Sequence, residues 1–197
     1  MTEYVTLSIL WIIWCFLHSL LIAEPVTRYL QGRMKTTFRY FRLLYNMFSI
    51  VSFLLIYFYG LSIPDEILFS WTTKTALIPI ILTSLGLYLM YRGAKSYNMN
   101  TFLGITQLNE IDNNISFNIE GILKYSRHPW YLGGYLLLWS AFVHLTIERL
   151  IINIIFTLYL YVGTVLEERK LVNQFGDVYR KYQKKVPMYI PYGIFKR

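Results

Sequence analysis

The 197-residue chain alternates between long uncharged apolar runs and shorter polar stretches rich in lysine and arginine. Five runs stand out, at 4–23, 43–63, 75–91, 130–147 and 150–166, each 17 to 21 residues long. A helix of that length, at 1.5 Å per residue, spans the roughly 30 Å hydrocarbon core of a bilayer. The pattern predicts an all-α, polytopic membrane protein with five transmembrane helices. Two or three residues separate the fourth run from the fifth, which predicts a tight antiparallel hairpin. The 92–124 stretch is too long for a turn and contains a polar segment, Asn109 to Asn118. It reads as a loop with a short interfacial element. The whole chain, 1–197, then reads as one membrane domain. It has a three-helix part (1–91), a cytoplasmic linker (92–124), and a hairpin with a C-terminal cover (125–197). The first run follows Met-Thr-Glu rather than a basic region, and no small-residue cleavage site follows it, so it is expected to be a span and not a signal peptide. No internal repeat or low-complexity tract is visible.

Composition strengthens this reading. Hydrophobic residues make up 55% and charged residues only 15% of the chain, against roughly 25% charged in soluble domains. The formal charge of +8 would suggest nucleic acid if it lay on one soluble face. Here the cations lie between apolar runs, which excludes that reading in favour of membrane topology. With the runs as helices, 17 cations fall on one side and Lys74 and Arg149 on the other. The positive-inside rule then places the N-terminus outside and the C-terminus inside. Cys15, the single cysteine, lies in an apolar run and reads as a small hydrophobe. No disulfide framework is possible.

Residues 125–135, YSRHPWYLGGY, put an arginine, a histidine and a proline at the mouth of the fourth run. Pro129 suits the first turn of a helix, where its missing N–H costs little. The open N–H groups of that turn can receive an anion. Gly133 and Gly134 allow a close approach by a neighbouring helix or a ligand. The hairpin brings Glu167 and Glu168, at the end of the fifth run, to the same boundary as Arg127 and His128. Spacing alone leaves two readings open. These groups make a polar cup for a ligand, or they sit at lipid headgroups as interfacial ion pairs.

Three segments in order bear on that choice: GILKYSRHPWYLGG from Gly121, EERKLVNQFGDVYRKY from Glu167, and VPMYIP from Val186. They resemble the C-terminal core of the isoprenylcysteine carboxyl methyltransferase superfamily over about 75 residues. In the N-terminal half, FLHSLL at 16–21, RLLYN at 42–46 and TFLG at 101–104 resemble its bacterial members, among them nitric-oxide-associated and small-thiol S-methylating proteins. They do not closely resemble the eukaryotic prenylcysteine enzymes. The resemblance implies an integral-membrane methyltransferase of the bacterial cytoplasmic membrane. It would use S-adenosylmethionine and act on a small or lipophilic thiol or carboxylate, with its site facing the cytoplasm. It implies a cofactor pocket of Tyr125, Arg127, His128, Pro129, Tyr131 and Gly133, completed by Glu167 and Glu168, with Tyr179, Tyr182 and Ile190 in a C-terminal cover. No metal is implied.

Arg127 could then pair with the cofactor carboxylate, and Glu167 or Glu168 with its amino group or ribose. A thiol acceptor must lose a proton, for which His128 and a glutamate, Glu168 first, are the available groups. Arg42, Tyr45 and Asn46 lie one turn apart on one helical face. They read as an acceptor-side contact, with Arg42 also a catalytic candidate, or as headgroup snorkelling. His18 reads as a substrate contact or as a satisfied helix–helix hydrogen bond. His144 reads as interfacial. Two alternatives stand beside the main reading. One is a phospholipid or other lipid amine N-methyltransferase. The other is a haem-handling or assembly protein using His18, His128 or His144 as axial ligands. The sequence does not give the oligomeric state.

Overall fold

A computed structural model describes residues 1–96, 99–108 and 119–190. The expected polar segment Asn109–Asn118 lies outside the described residues. The chain opens with α1 (Thr2–Ile22), which Ala23 ends by turning to extended geometry, φ −61° and ψ 139°. Pro25, in the first turn, then helps start α2 (Glu24–Met34). Lys35 ends α2 with φ 49°, a conformation that L-residues adopt rarely. A 3₁₀ turn, Lys35–Tyr40, leads into α3 (Phe41–Leu61). The strand β1 (Ile67–Ser70) precedes α4 (Leu77–Ala94). The short helices α5 (Met99–Leu103) and α6 (Ile105–Leu108) follow, and a 3₁₀ turn covers Gly121–Lys124. The C-terminal part holds α7 (Pro129–Ser140), β2 (His144–Thr146), α8 (Ile147–Phe175) and α9 (Asp177–Lys185).

Among the described residues, four helical stretches are long and apolar enough to cross a membrane: Thr2–Ile22, Glu24–Leu61 (which contains α3), Leu77–Ala94 and Ile147–Phe175. Together they make this a multi-pass integral membrane protein of predominantly helical class. The fourth apolar run departs from expectation. Its helix, α7, stops at Ser140 after 12 residues, roughly 18 Å. The run then bends and becomes β2, paired with β1. The connection to α8 is therefore residues 141–146, not two or three residues. Aromatic and β-branched residues such as Phe142, Val143 and Thr146 suit a strand as well as a helix, and the partner strand lies far away in sequence.

The chain divides into two compact units. One holds α1–α3, α5, α6 and the start of α8. Leu7, Trp11 and Cys15 form the buried face of α1, at the i, i+4, i+8 spacing of one helical stripe. A polar ladder joins α1 to α3. Trp14 Nε1 donates to Ser52 Oγ at 3.0 Å, His18 Nδ1 meets Ser49 Oγ at 3.1 Å, and His18 Nε2 meets the Tyr45 hydroxyl at 2.9 Å. Arg42 Nε donates to the Phe102 carbonyl at 3.1 Å. Asn46 Nδ2 donates to the carbonyls of Phe102 and Leu103 at 3.2 and 3.1 Å. Both side chains thus satisfy the C-terminal carbonyls of α5. At the other end of α3, the Glu148 backbone N–H donates to the Asp65 carboxylate, and the Glu148 side chain is buried against Gly60.

The other unit holds β1, most of β2, α4, α7, the rest of α8, and α9. Helices α4 and α7 form its most intimate pairing, through glycines. A Cβ on Gly133 would lie 2.6 Å from the Gly86 carbonyl oxygen, and one on Gly93 would lie 3.0 Å from Trp130 N. Lipid tails are as apolar as leucine, so helices in a bilayer gain by such backbone approach rather than by escape from water. Thr83 Oγ1 and Ser140 Oγ add a hydrogen bond of 2.9 Å at the far end of α7.

Gly133→Leu is expected to force α7 off α4 and destabilise the protein by about 3 kcal/mol or more, since the clash is with backbone. Gly134→Ala should be tolerated, because its Cβ would meet Leu160 Cδ1 at 3.5 Å. Thermal unfolding of the two variants in detergent measures the contrast; equal midpoints would contradict the glycine contact.

Candidate active site

The stretch before α7 lies in one unit with the end of α8 and with α9, and a buried ion pair organises them. Arg127 meets Glu168 through two bonds, Nε to Oε1 at 2.6 Å and Nη2 to Oε2 at 3.0 Å. This is the bidentate guanidinium–carboxylate geometry, the strongest of the common charged hydrogen bonds. The side chains are only 8% and 10% exposed. Three further groups reach the same carboxylate: His128 Nε2 at 3.0 Å, the Tyr179 hydroxyl at 3.2 Å and Gln183 Nε2 at 2.8 Å. Glu168 accepts five bonds, three on Oε1 and two on Oε2, more than the roughly four lone-pair sites of an ionised carboxylate.

Arg127 is equally committed. Its remaining terminal nitrogen, Nη1, donates to the carbonyls of Gln183 at 2.9 Å and Val186 at 2.5 Å. The backbone N–H groups of Arg127 and His128 donate to the carbonyls of Pro187 and Met188, both at 3.0 Å. Ser126 Oγ also donates to the Met188 carbonyl, at 3.3 Å. The entry to α7 is thus paired along the segment that follows α9.

Packing holds α9 in place. Tyr179, Tyr182 and Val186, at i, i+3 and i+7, form a buried cluster against Ile119, Leu171, Val172 and Phe175. The Tyr182 hydroxyl donates to the Leu123 carbonyl at 2.6 Å. Burial pushes the Tyr182 phenol up to about 12. Burial, followed by the charge of Glu168, raises Tyr179 further. Both phenols remain protonated donors at neutral pH.

His128 is the exception in this saturated network. Glu168 is an acceptor, so His128 Nε2 carries the proton of their bond; the other ring nitrogen is Nδ1. That nitrogen is buried and has no hydrogen-bond partner. A buried polar atom left unpaired costs about 1–3 kcal/mol. The Glu167 carboxylate lies 4.0 Å away and is 27% exposed. Tyr131 stands edge-on to the imidazole, with ring centroids 5.6 Å apart, and Tyr189 lies 6.3 Å from it.

The remaining sequence candidates fall in three places. Pro129 is buried beside His128, whereas Tyr125 and Ile190 are exposed. Gly133 faces Gly86 and Met90 of α4, so of the two approaches open to it, a helix or a ligand, the helix is the one seen. His18, Arg42, Tyr45 and Asn46 belong to the other unit, in the α1–α3 ladder and the α5 anchor. Sequence reasoning missed Gln183, which lies four residues after Tyr179 on the same helical face, and Ser126. It also missed the Tyr135–Tyr189–Thr164 chain, with oxygens 3.3 and 2.8 Å apart. The spacing of Gln183 was a usable signal; the tyrosine chain left none.

These features define a multi-pass membrane protein whose C-terminal helices close a buried, charge-compensated cage around the Glu168 carboxylate, with one ring nitrogen of His128 left unpartnered. The chain belongs to the NnrU protein family, whose profile matches residues 6–194. It is similar to methanethiol S-methyltransferase 1 of Bradyrhizobium diazoefficiens, with 30% identity over 159 residues, 75% of this chain and 53% of that protein. It is also similar to the methanethiol S-methyltransferase of Pseudomonas deceptionensis, with 41% identity over 76 residues, 39% of this chain and 29% of that protein. The protein-S-isoprenylcysteine O-methyltransferase of Schizosaccharomyces pombe shares 36% identity over 76 residues, 36% of this chain and 31% of that protein. The chain thus spans about half the length of the first relative and under a third of the other two. No solved structure matches it.

Removing one partner of the cage should cost about 3–5 kcal/mol, because the other charge stays buried and uncompensated. In a double-mutant cycle, Arg127→Ala and Glu168→Ala together are expected to cost less than the sum of the two singles. Additive losses in thermal or denaturant unfolding would show that the pair is not coupled.

Proposed function

We propose that this chain is an integral-membrane methyltransferase that takes its methyl group from S-adenosylmethionine and passes it to a small or lipophilic thiol or carboxylate. A small thiol is the first candidate, because the relative aligned over 75% of the chain is named for methanethiol. The observation that carries the reading is His128 Nδ1, buried and unpartnered beside the Glu167 carboxylate. With the imidazole neutral, the two would form an acceptor pair suited to a cationic N–H donor such as the ammonium group of S-adenosylmethionine. When bound, that molecule supplies an electrophilic methyl group on a cationic sulfur.

This assignment redistributes the roles suggested by the residues alone. Glu168 and Arg127 are positioning residues, since their bonds are spent on each other and on α9. Glu167 and His128 would hold the ligand. Tyr131 and Tyr189 would supply aromatic walls beside the imidazole, and the exposed Tyr125 and Ile190 would close over the ligand from the chain's surface. A pocket with an apolar wall on the membrane side raises the energy of separated charges more than that of a transition state in which they cancel. Fixing donor and acceptor in line adds the further advantage of orientation. For Arg42 and Asn46 we propose a structural part, holding 99–108 against α3.

We further propose five crossings, with the N-terminus outside and the site facing the cytoplasm of a bacterial inner membrane. The bacterial relatives support the location, and the 17 cations on one side support the orientation. Although α7 is short, the bend and strand at residues 141–146 lengthen its path, since an extended residue rises about 3.3 Å against about 1.5 Å in a helix.

Calorimetric titration of S-adenosylmethionine into the purified protein tests the reading. His128→Ala and Glu167→Ala are each expected to weaken binding about 10- to 100-fold, the worth of a hydrogen bond to a charged group. Labelled-methyl transfer should appear with a thiol in a panel that also contains a prenylcysteine and phosphatidylethanolamine. Absence of binding, or transfer to phosphatidylethanolamine alone, would reject it.

A further inference from the structure

Helix α9 has two chemically different faces. Its inner face gives Tyr179 and Gln183 to the Glu168 cage and buries Tyr182. Its outer face carries Arg180, Lys181, Lys184 and Lys185, all exposed. Arg180 lies 3.7 Å from Asp177. Arg169 and Lys170, near the end of α8, are exposed as well.

The depth of this face follows from the cage. The apolar run of α8 ends at Leu166, and Glu168 is two residues further on, about 3 Å along the axis. Helix α8 continues to Phe175, Gly176 takes φ +57°, and α9 returns. The hydroxyl of Tyr179 and the amide of Gln183 both reach back to Glu168, and the carbonyls of Gln183 and Val186 reach Arg127. The C-terminal half of α9 therefore stands level with Glu168, within a few ångströms of the end of the hydrocarbon. With α8 placed as a span, Lys184 and Lys185, next to Gln183 in sequence, would lie at the depth of lipid headgroups. Cations there are attracted to anionic lipid, each by about fivefold in binding.

We propose that the outer face of α9 is a docking surface for anionic phospholipid headgroups, and that lipid bound there steadies the cage completed by the inner face. The coupling is mechanical. One nine-residue helix carries both the lysines and the groups that hold Glu168, so restraining its outer face restrains Tyr179 and Gln183. The inference depends on the membrane placement of α8 and not on methyl transfer, so the two can fail separately.

The full-length protein is reconstituted in nanodiscs of phosphatidylcholine alone, or with a third of the lipid replaced by phosphatidylglycerol. Amide hydrogen exchange over 177–185 is then followed without any other ligand. Exchange is expected to slow about tenfold in the anionic discs. The difference should vanish at about 0.5 M salt, where charges are screened within a few ångströms, and in K181E/K184E/K185E. Equal exchange of the wild type in both lipids, or an undiminished response in the triple variant, would overturn the proposal. If soluble polyphosphate protects α9 in phosphatidylcholine discs while phosphatidylglycerol does not, the face serves a soluble polyanion and the lipid assignment fails. The salt arm uses the wild type and remains decisive if the triple variant does not fold.

Discussion

The carboxylate of Glu168 is the fixed point around which the C-terminal half is arranged. Burying an anion at the edge of a bilayer is costly unless it is both paired and hydrogen-bonded. Here it receives Arg127 bidentately, His128, Tyr179 and Gln183. The donors come from two places in the chain, the entry to α7 and α9. Satisfying one side chain thus requires those elements to converge on α8, and their convergence seats the chain after α9 along residues 127 and 128. The same event fixes a proton on His128 Nε2 and leaves the other ring nitrogen buried without a hydrogen-bond partner. Structural economy and candidate chemistry arise from a single charge.

Away from that cage the two units hold their helices together differently. In one, a ladder of Trp14, His18, Tyr45, Ser49 and Ser52 bonds α1 to α3. In the other, Gly86, Gly93 and Gly133 let α4 and α7 touch backbone to backbone. Both answer the same constraint, that apolar side chains gain little by leaving lipid for one another. Glycine contacts are short-ranged and rigid, a suitable support for the helix that His128 immediately precedes. The notch at Gly60 is a third variant, in which a Cβ would lie 2.5 Å from Glu148 Oε1, so a missing side chain makes room for a buried carboxyl.

Much of this was legible in the residues. The runs at 4–23, 43–63 and 75–91 correspond to α1, α3 and α4 within three residues at each end, because hydropathy over a window of that size is a property of the window itself. The meeting of 127–128 with 167–168 was also legible, from the order of apolar runs. The end of α7 was not. Residues 141–146 are as apolar as the helix before them, and they turn because β1 offers a partner some seventy residues upstream. Gly133 was read correctly as a place of close approach, but the approaching atom belongs to α4. Arg42 and Asn46 were read correctly as sharing a face, yet the carbonyls they meet lie nearly sixty positions away.

The adjacent glutamates show the division most plainly. By itself, the sequence determined that an acidic pair ends an apolar helix opposite an Arg-His-Pro entry, on the cation-rich side of the chain. That is local information, carried by residue type and order. Only the tertiary structure decided that Glu168 turns inward to be saturated while Glu167 stays partly open beside His128. Neighbours on a helix point about 100° apart, so their fates depend on what stands on each side, and those groups are 40 positions back and 11 to 15 ahead. Hydrophobic burial sums over a segment, whereas a hydrogen bond exists only where two particular atoms come within about 3 Å.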